Sequence, residues 1–274
     1  MLLLHGLASN GSRFAELAAH SRLAATHALI RPDLAGHGDS LTRQRVGLGV
    51  WCDDLRALLD AEGGGPAVLV GHSLGARVAL ELAGRAPARV RALVLIDPVL
   101  RAALHGRWRL LAQAAPLIGT AAALMRVANA LGLHRGALPP LDLRALDAEA
   151  RLALASPEAE AAFIARYSSA RADLQHLPTA VYLQDLAALF TPPPAAATRP
   201  ALPTLVLLST GATFANPDET RQALATPATR FEAVDCHHWP LTERPQAVRE
   251  AIENFIGGLP PAMDDRAATG ASGG

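Results

Sequence analysis

The chain of 274 residues contains no lysine, and all 25 of its basic residues are arginine. That absence removes Schiff-base catalysis, a pyridoxal-phosphate lysine and the lysine of a phosphate-binding loop from the available chemistry. An excess of either charge is also missing, because 25 acidic residues bring the formal net charge to zero. No basic block is dense enough to point to a nucleic-acid partner. The arginine-only, alanine-rich composition reads as GC-rich coding rather than as function. Cysteine is scarce. Cys52 and Cys236 stand far apart with no metal or redox spacing, as expected of reduced thiols in a cytoplasmic protein. The opening MLLLHGLASN has no basic region and too short an apolar run for a signal peptide, so secretion is not expected. Long uninterrupted apolar runs are lacking too. The most apolar tract, Leu110 to Leu133, is broken by Gln113, Pro116, Arg126 and Asn129, which would be costly in a bilayer, so no membrane span is expected.

Hydrophobic residues are abundant at 50%, enough for one sizeable α/β domain with an insertion. Strand-like and helix-like segments alternate, the pattern of a mostly parallel sheet flanked by helices. Leu2 to Leu4 reads as a strand, GSRFAELAAHSRLAA as a helix in partial phase, and HALIRPDL as the next strand. VWCDDLRALLDAEGGG places Trp51, Leu55, Leu58 and Leu59 on one helical face. VRALVLIDP is a buried strand stopped by Pro98. From Val99 to Arg199 only helical periods are found, closing in the proline-rich FTPPPAAATRP. Alternation then resumes with PTLVLLSTG, a helix from Pro217, the strand TRFEAVDC and a last helix over RPQAVREAIENFIGGL. The expected organisation is a core of residues 1–98 and 200–258, a helical cap insertion over 99–199 and a disordered tail over 259–274.

The segment VLVGHSLGARVALELA, Val68 to Ala83, joins a buried strand to a helix within a few residues. Such a reversal strains the turn residue, and Gly71 and Gly75 remove the Cβ atoms that would collide there. Ser73 is left at the tip. A serine hydroxyl is a weak nucleophile near neutral pH and needs a base, itself oriented by a third group.

In order along the chain, LLLHG, RPDLAGHGDS, GHSLG, LVLIDP and HHWPLTERP resemble the α/β-hydrolase fold family with a helical cap. One G-x-S-x-G would say little, but five pieces in family order cover nearly the whole sequence. The resemblance implies that Ser73 is the nucleophile and His238 its base, with Glu243 and Pro245 following in the histidine loop. It places the oxyanion hole at the amides of Leu7 and Leu74. By the same resemblance His37 shapes a loop and Asp39 ties its turn, while His72 is structural or lines the pocket. His237 stands where the family more often has glycine. The family usually has an aspartate three residues after Gly211, and here that residue is Phe214, which cannot accept a proton. Two replacements are open. Asp97 ends the strand that follows the serine's own unit, a position used by haloalkane dehalogenases, and is the favoured acid. Asp218 is the alternative, although Asn216 and Pro217 look like a helix start that would explain it by the helix dipole.

Two strands that usually precede the first His-Gly strand are absent from this sequence, which would leave Leu29 and Ile30 as an open sheet edge; either the native start lies upstream, or a homodimer or the tail covers this edge. Serine at position 73 argues against epoxide hydrolase or dehalogenase chemistry, which uses a carboxylate nucleophile. The expected substrate is a small to medium apolar carboxylic ester, cleaved through an acyl-enzyme on Ser73. A carbon-carbon bond hydrolase, thioesterase or perhydrolase with the same triad is the alternative, and a non-catalytic ligand-binding member of the fold is the reading of another class. No cofactor is implied. A metal site from Asp235, Cys236, His237 and His238 is not expected, because four adjacent residues on a strand end cannot converge on one ion.

Overall fold

The computed structural model describes residues 1–63, 65–153, 157–195, 200–211 and 214–260. The elements run β1 (Leu2–Leu4), α1 (Ala15–His20), α2 (Leu48–Ala61), β2 (Ala67–His72), α3 (Leu74–Arg85) and β3 (Val90–Ile96). Six helices follow: α4 (Gly106–Gln113), α5 (Ala115–Ala130), α6 (Leu143–Ala153), α7 (Pro157–Tyr167), α8 (Ala170–His176) and α9 (Thr179–Leu189). The chain then forms β4 (Thr204–Ser209), α10 (Pro217–Leu224), β5 (Thr229–Val234), α11 (Pro240–Glu243) and α12 (Pro245–Gly257).

The five strands form one parallel sheet in the order β1-β2-β3-β4-β5. Because side chains alternate along a strand, both faces of a covered parallel sheet must be apolar. Leu2, Leu4, Leu69, Leu93, Leu95 and Val206 accordingly join α2, α3 and α9 in one buried cluster. Leu3, Val68, Val70, Val94, Leu205 and Leu207 pack on the opposite face against α1 and α12. Each such fully buried leucine contributes about 2 kcal/mol.

The structure departs from the sequence expectation in three local respects. The strand expected around Leu29 and Ile30 is reduced to a single parallel bridge between Ile30 and Leu2 on the outer side of β1. Pro32 follows two residues after Ile30, and Asp33 accepts from the Gly11 amide at 2.6 Å, so the chain leaves the sheet there. The helix expected over GSRFAELAAHSRLAA is broken into a 3-10 turn, α1 and a second 3-10 turn. Ser21 is the break: its backbone is extended, and its hydroxyl donates to Glu253 of α12 at 2.8 Å. The turn assigned to Asp39 is tied instead by Asp33, whose Oδ2 accepts from the Asp39 amide at 2.8 Å.

Between β3 and β4 the regular elements among the described residues are all helical, and Leu104 forms an isolated antiparallel bridge with Ala215. Helix α5 packs along α9, and α9 in turn meets α3 behind Ser73. No single helix among the described residues is long and apolar enough to cross a membrane; α4 and α5 approach that length only together, across a 66° bend. Of the expected tail, residues 261–274 lie outside the described residues, as do 154–156 and 196–199 of the expected insertion.

Candidate active site

Ser73 sits between β2 and α3 with φ 52° and ψ −111°, a left-handed conformation that serine rarely adopts. Its own amide donates to the Ile96 carbonyl at 3.0 Å. The flanking glycines are required by contact. A Cβ on Gly71 would lie 2.4 Å from the Gly75 backbone, and one on Gly75 would lie 2.0 Å from the Leu4 carbonyl oxygen. The other two non-glycine residues with positive φ among those described are Ala8 and Asp97. All three surround the same cavity or the side chains that face it, as expected where surrounding packing holds strained backbone in place.

His238 reaches this serine from the loop after β5: its Nε2 lies 2.9 Å from Ser73 Oγ. Its Nδ1 lies 2.5 Å from Asp97 Oδ2. A carboxylate can only accept, so Nδ1 carries the hydrogen and Nε2 presents its lone pair to the serine. Asp97 Oδ1 accepts from the Ser209 amide at 2.9 Å. Burial alone would raise the Asp97 carboxyl, but the hydrogen bonds and the charge of His238 prevail and hold it below the usual value. Asp218 is elsewhere. It is exposed in the first turn of α10, where its amide donates to Asn216 Oδ1 at 2.8 Å. Phe214 takes up the space beside the base, its ring edge-on to the imidazole.

A cavity of about 220 Å³ opens over Ser73 and His238. Leu7 lines it, and Leu74 begins α3 directly after Ser73. Neither amide has a hydrogen-bond acceptor among the described residues. The outer wall comes from the helices between β3 and β4, including Leu104, Trp108, Leu146, Leu186 and Phe190.

Further side chains hold the loops around the site, and of these His5 has no side-chain role in the sequence reading. His5 Nδ1 donates to the Gly6 carbonyl at 2.9 Å, and its Nε2 accepts from the Leu34 amide at 3.0 Å. Burial holds its pKa well below the ordinary value. His72 donates through Nε2 to the His238 carbonyl at 2.9 Å, and burial lowers its pKa to about 3, so it stays neutral and braces the histidine loop. Glu243 accepts from the amides of His237 and Trp239, on either side of His238, and from His237 Nδ1 at 3.0 Å. His237 thus faces Glu243, while Cys236 faces Ser209, so the adjacent residues point in different directions.

Two buried links tie the helical segment to the core. Arg13 binds Asp147 of α6 at 2.6 Å and Thr242 of α11, and Tyr167 donates to the same carboxylate at 2.8 Å. His37 Nε2 donates to Asp185 of α9 at 3.0 Å. Arg13 and Asp147 lie 134 residues apart in the chain, and His37 and Asp185 148, so no local pattern announces either pair.

The model of the alpha/beta hydrolase family matches residues 1–251. Lipase LipV of Mycobacterium tuberculosis is 41% identical over 98 residues, which is 36% of this chain and 36% of that protein. The magnesium-chelatase 30 kDa subunit of Rhodobacter capsulatus is 41% identical over 85 residues, 30% of this chain and 29% of that protein. These matches span about a third of each curated relative. A thermophilic esterase from Thermogutta terrifontis superposes with a TM-score of 0.68 at 22% identity, covering 94% of this chain and 89% of that one, a likeness of fold. By the match of residues 1–251, the chain belongs to the alpha/beta hydrolase family.

Proposed function

We propose that the protein is a serine hydrolase that cleaves small to medium apolar carboxylic esters through an acyl-enzyme on Ser73. The observation that carries this reading is the hydrogen-bonded series from Ser73 Oγ through His238 to Asp97, at 2.9 and 2.5 Å. In the proposed reaction His238 Nε2 takes the hydroxyl proton as Oγ attacks the ester carbonyl. The amides of Leu7 and Leu74 stabilise the resulting oxyanion. Collapse breaks the bond to the alcohol, which leaves with the proton from His238. Water, deprotonated by the same nitrogen, then attacks the acyl-enzyme and releases the acid and Ser73. Asp97 stays ionised throughout, fixing the tautomer and balancing the transient imidazolium. Residues 99–199 act as the cap whose apolar residues set the substrate class.

The relatives named lipase and esterase are consistent with an ester. A thioesterase, carbon-carbon bond hydrolase or perhydrolase would use the same three side chains, and a substrate panel separates them. A cytoplasmic location belongs to this reading, supported by two free, buried cysteines. So does a homodimer through the Leu29–Ile30 edge, which has no further strand outside it among the described residues.

Fluorophosphonate labelling located by mass spectrometry tests the reading. Modification of Ser73 is expected, lost in His238→Ala, strongly reduced in Asp97→Asn and retained in Asp218→Asn. A folded wild-type protein that takes no label would leave ligand binding without turnover as the function.

A further inference from the structure

Helix α5 has one charged residue in its sixteen, Arg126. Its inner face is accounted for: Ile118 and Ala122 are buried towards α9, and Arg126 donates to Gln184 at 3.2 Å. The outer face should then be polar, as on other surface helices. Instead Leu117, Leu124 and Leu131 recur every seven residues, close to two helical turns, and are 73%, 65% and 73% exposed. Val127 lies one turn from Leu124 and is 60% exposed, and on the preceding helix α4 Leu110 is 67% exposed. Contiguous exposed side chains of this size mark an interaction surface.

The surrounding charge selects the partner. No acidic residue occurs between Asp97 and Asp142, whereas Arg101, Arg107, Arg109, Arg126 and Arg135 all fall in that interval. None of these five arginines is paired with a carboxylate among the described residues, and Arg107 and Arg109 are exposed on α4. Arg126 turns inward to Gln184, but a second copy of the chain docked here would bring two sets of the exposed Arg107 and Arg109 together. An anionic lipid surface would match both features, taking the leucines into the interface and neutralising the arginines. Spanning is excluded for α5, since sixteen residues rise about 24 Å and a hydrocarbon core needs about 30 Å. We propose that α4 and α5 form a peripheral docking surface for anionic phospholipid bilayers, with α5 lying in the plane of the interface.

The surface is joined to the cavity by contact. Trp108 of α4 lines the cavity and meets Phe214 edge-on at 5.0 Å, and Phe214 meets His238. Docking would therefore set the apolar cavity beside the phase in which apolar molecules concentrate. The docking itself does not depend on the proposed hydrolysis.

The full chain is floated with vesicles of phosphatidylcholine alone or mixed with phosphatidylglycerol. The expected result is binding to the anionic vesicles, falling about tenfold on phosphatidylcholine or at high salt. A Leu117→Gln/Leu124→Gln variant should bind about tenfold less with an unchanged circular dichroism spectrum and melting midpoint. Arg107→Gln/Arg109→Gln should lose binding to the anionic vesicles only. Ser73→Ala should float like the wild type, so that failure of the docking proposal and failure of the hydrolase reading are seen separately. Wild-type protein that does not float, or a leucine variant that floats equally, overturns the proposal. So does a dimer in light scattering that the leucine substitutions dissolve, which would assign the stripe to a second copy.

Discussion

The ring of Phe214 stands edge-on against the imidazole of His238, with centroids 4.4 Å apart and planes at 77°. It supplies packing where the family pattern supplies a carboxylate, while Asp97 holds Nδ1 from the end of β3. Replacing Phe214 with Ala should lower kcat on a p-nitrophenyl ester by less than about tenfold, whereas Asp97→Asn should lower it by about 10³- to 10⁴-fold through loss of the productive tautomer. Equal losses in steady-state assays would contradict the role given to Asp97.

The turn at Ser73 has no room for a side chain on Gly75. Gly75→Ala would drive a methyl group into the Leu4 carbonyl, separating α3 from β1. A loss of at least about 3 kcal/mol in urea unfolding is expected, with loss of Ser73 labelling. A variant with native stability would show that the backbone relaxes at little cost.

Arg13 and Asp147 form a buried ion pair that also holds Thr242 and Tyr167. Removing one partner leaves a buried charge unmatched, so Arg13→Met should destabilise by about 3–5 kcal/mol. The double variant Arg13→Met/Asp147→Leu should recover part of that loss. A fully additive double-mutant cycle would mean that the two side chains act independently.

Asp173 lines the cavity, and burial followed by the charge of Asp185 pushes its carboxyl up to about 7. Its folded value lies above its unfolded one, so between them the native state holds the extra proton. The associated stability is present at low pH and is lost as pH rises through about 7. Asp173→Asn should therefore raise the melting midpoint by a few degrees, on the order of 2–4 °C, at pH 8 and leave it little changed at low pH. The wild-type KM for an apolar ester should rise above pH 7, as the cavity gains charge, and the variant should show no such rise. Parallel KM profiles would remove Asp173 from the cavity's electrostatics.

Cys52 and Cys236 are buried, and burial pushes both thiols up to about 12. Neither should react with iodoacetamide in the native protein at pH 8, and both should react in urea. Labelling of the native protein, counted by mass spectrometry, would reveal local opening around these sites.

What could be read along the chain was set by local physics. Apolar runs between turn residues marked β2, β3 and β4, because a strand covered on both faces needs little but apolar side chains. The G-x-S-x-G turn was legible because close backbone approach excludes Cβ atoms at fixed positions. Asn216 and Pro217 marked the start of α10 for a similarly local reason. The strand at Leu29 and Ile30 shrinks to one bridge and the helix breaks at Ser21, since β1 and Glu253, far along the chain, decide where those segments end.

The sequence by itself determined the order of the elements, the strained serine turn and the presence of a histidine and two alternative carboxylates. Only the tertiary structure decided which carboxylate meets that histidine. Asp97 and Asp218 each precede or follow a strand in a plausible way, but parallel pairing of β3 with β4 carries Asp97 to the imidazole and leaves Asp218 in the first turn of a surface helix capped by Asn216. The tertiary structure likewise paired Arg13 with Asp147 and His37 with Asp185, and left the leucines of α5 facing outward. The physical reason is that hydrogen bonding and burial depend on distances set by how the whole chain packs, whereas turns and strands respond to neighbours a few residues away.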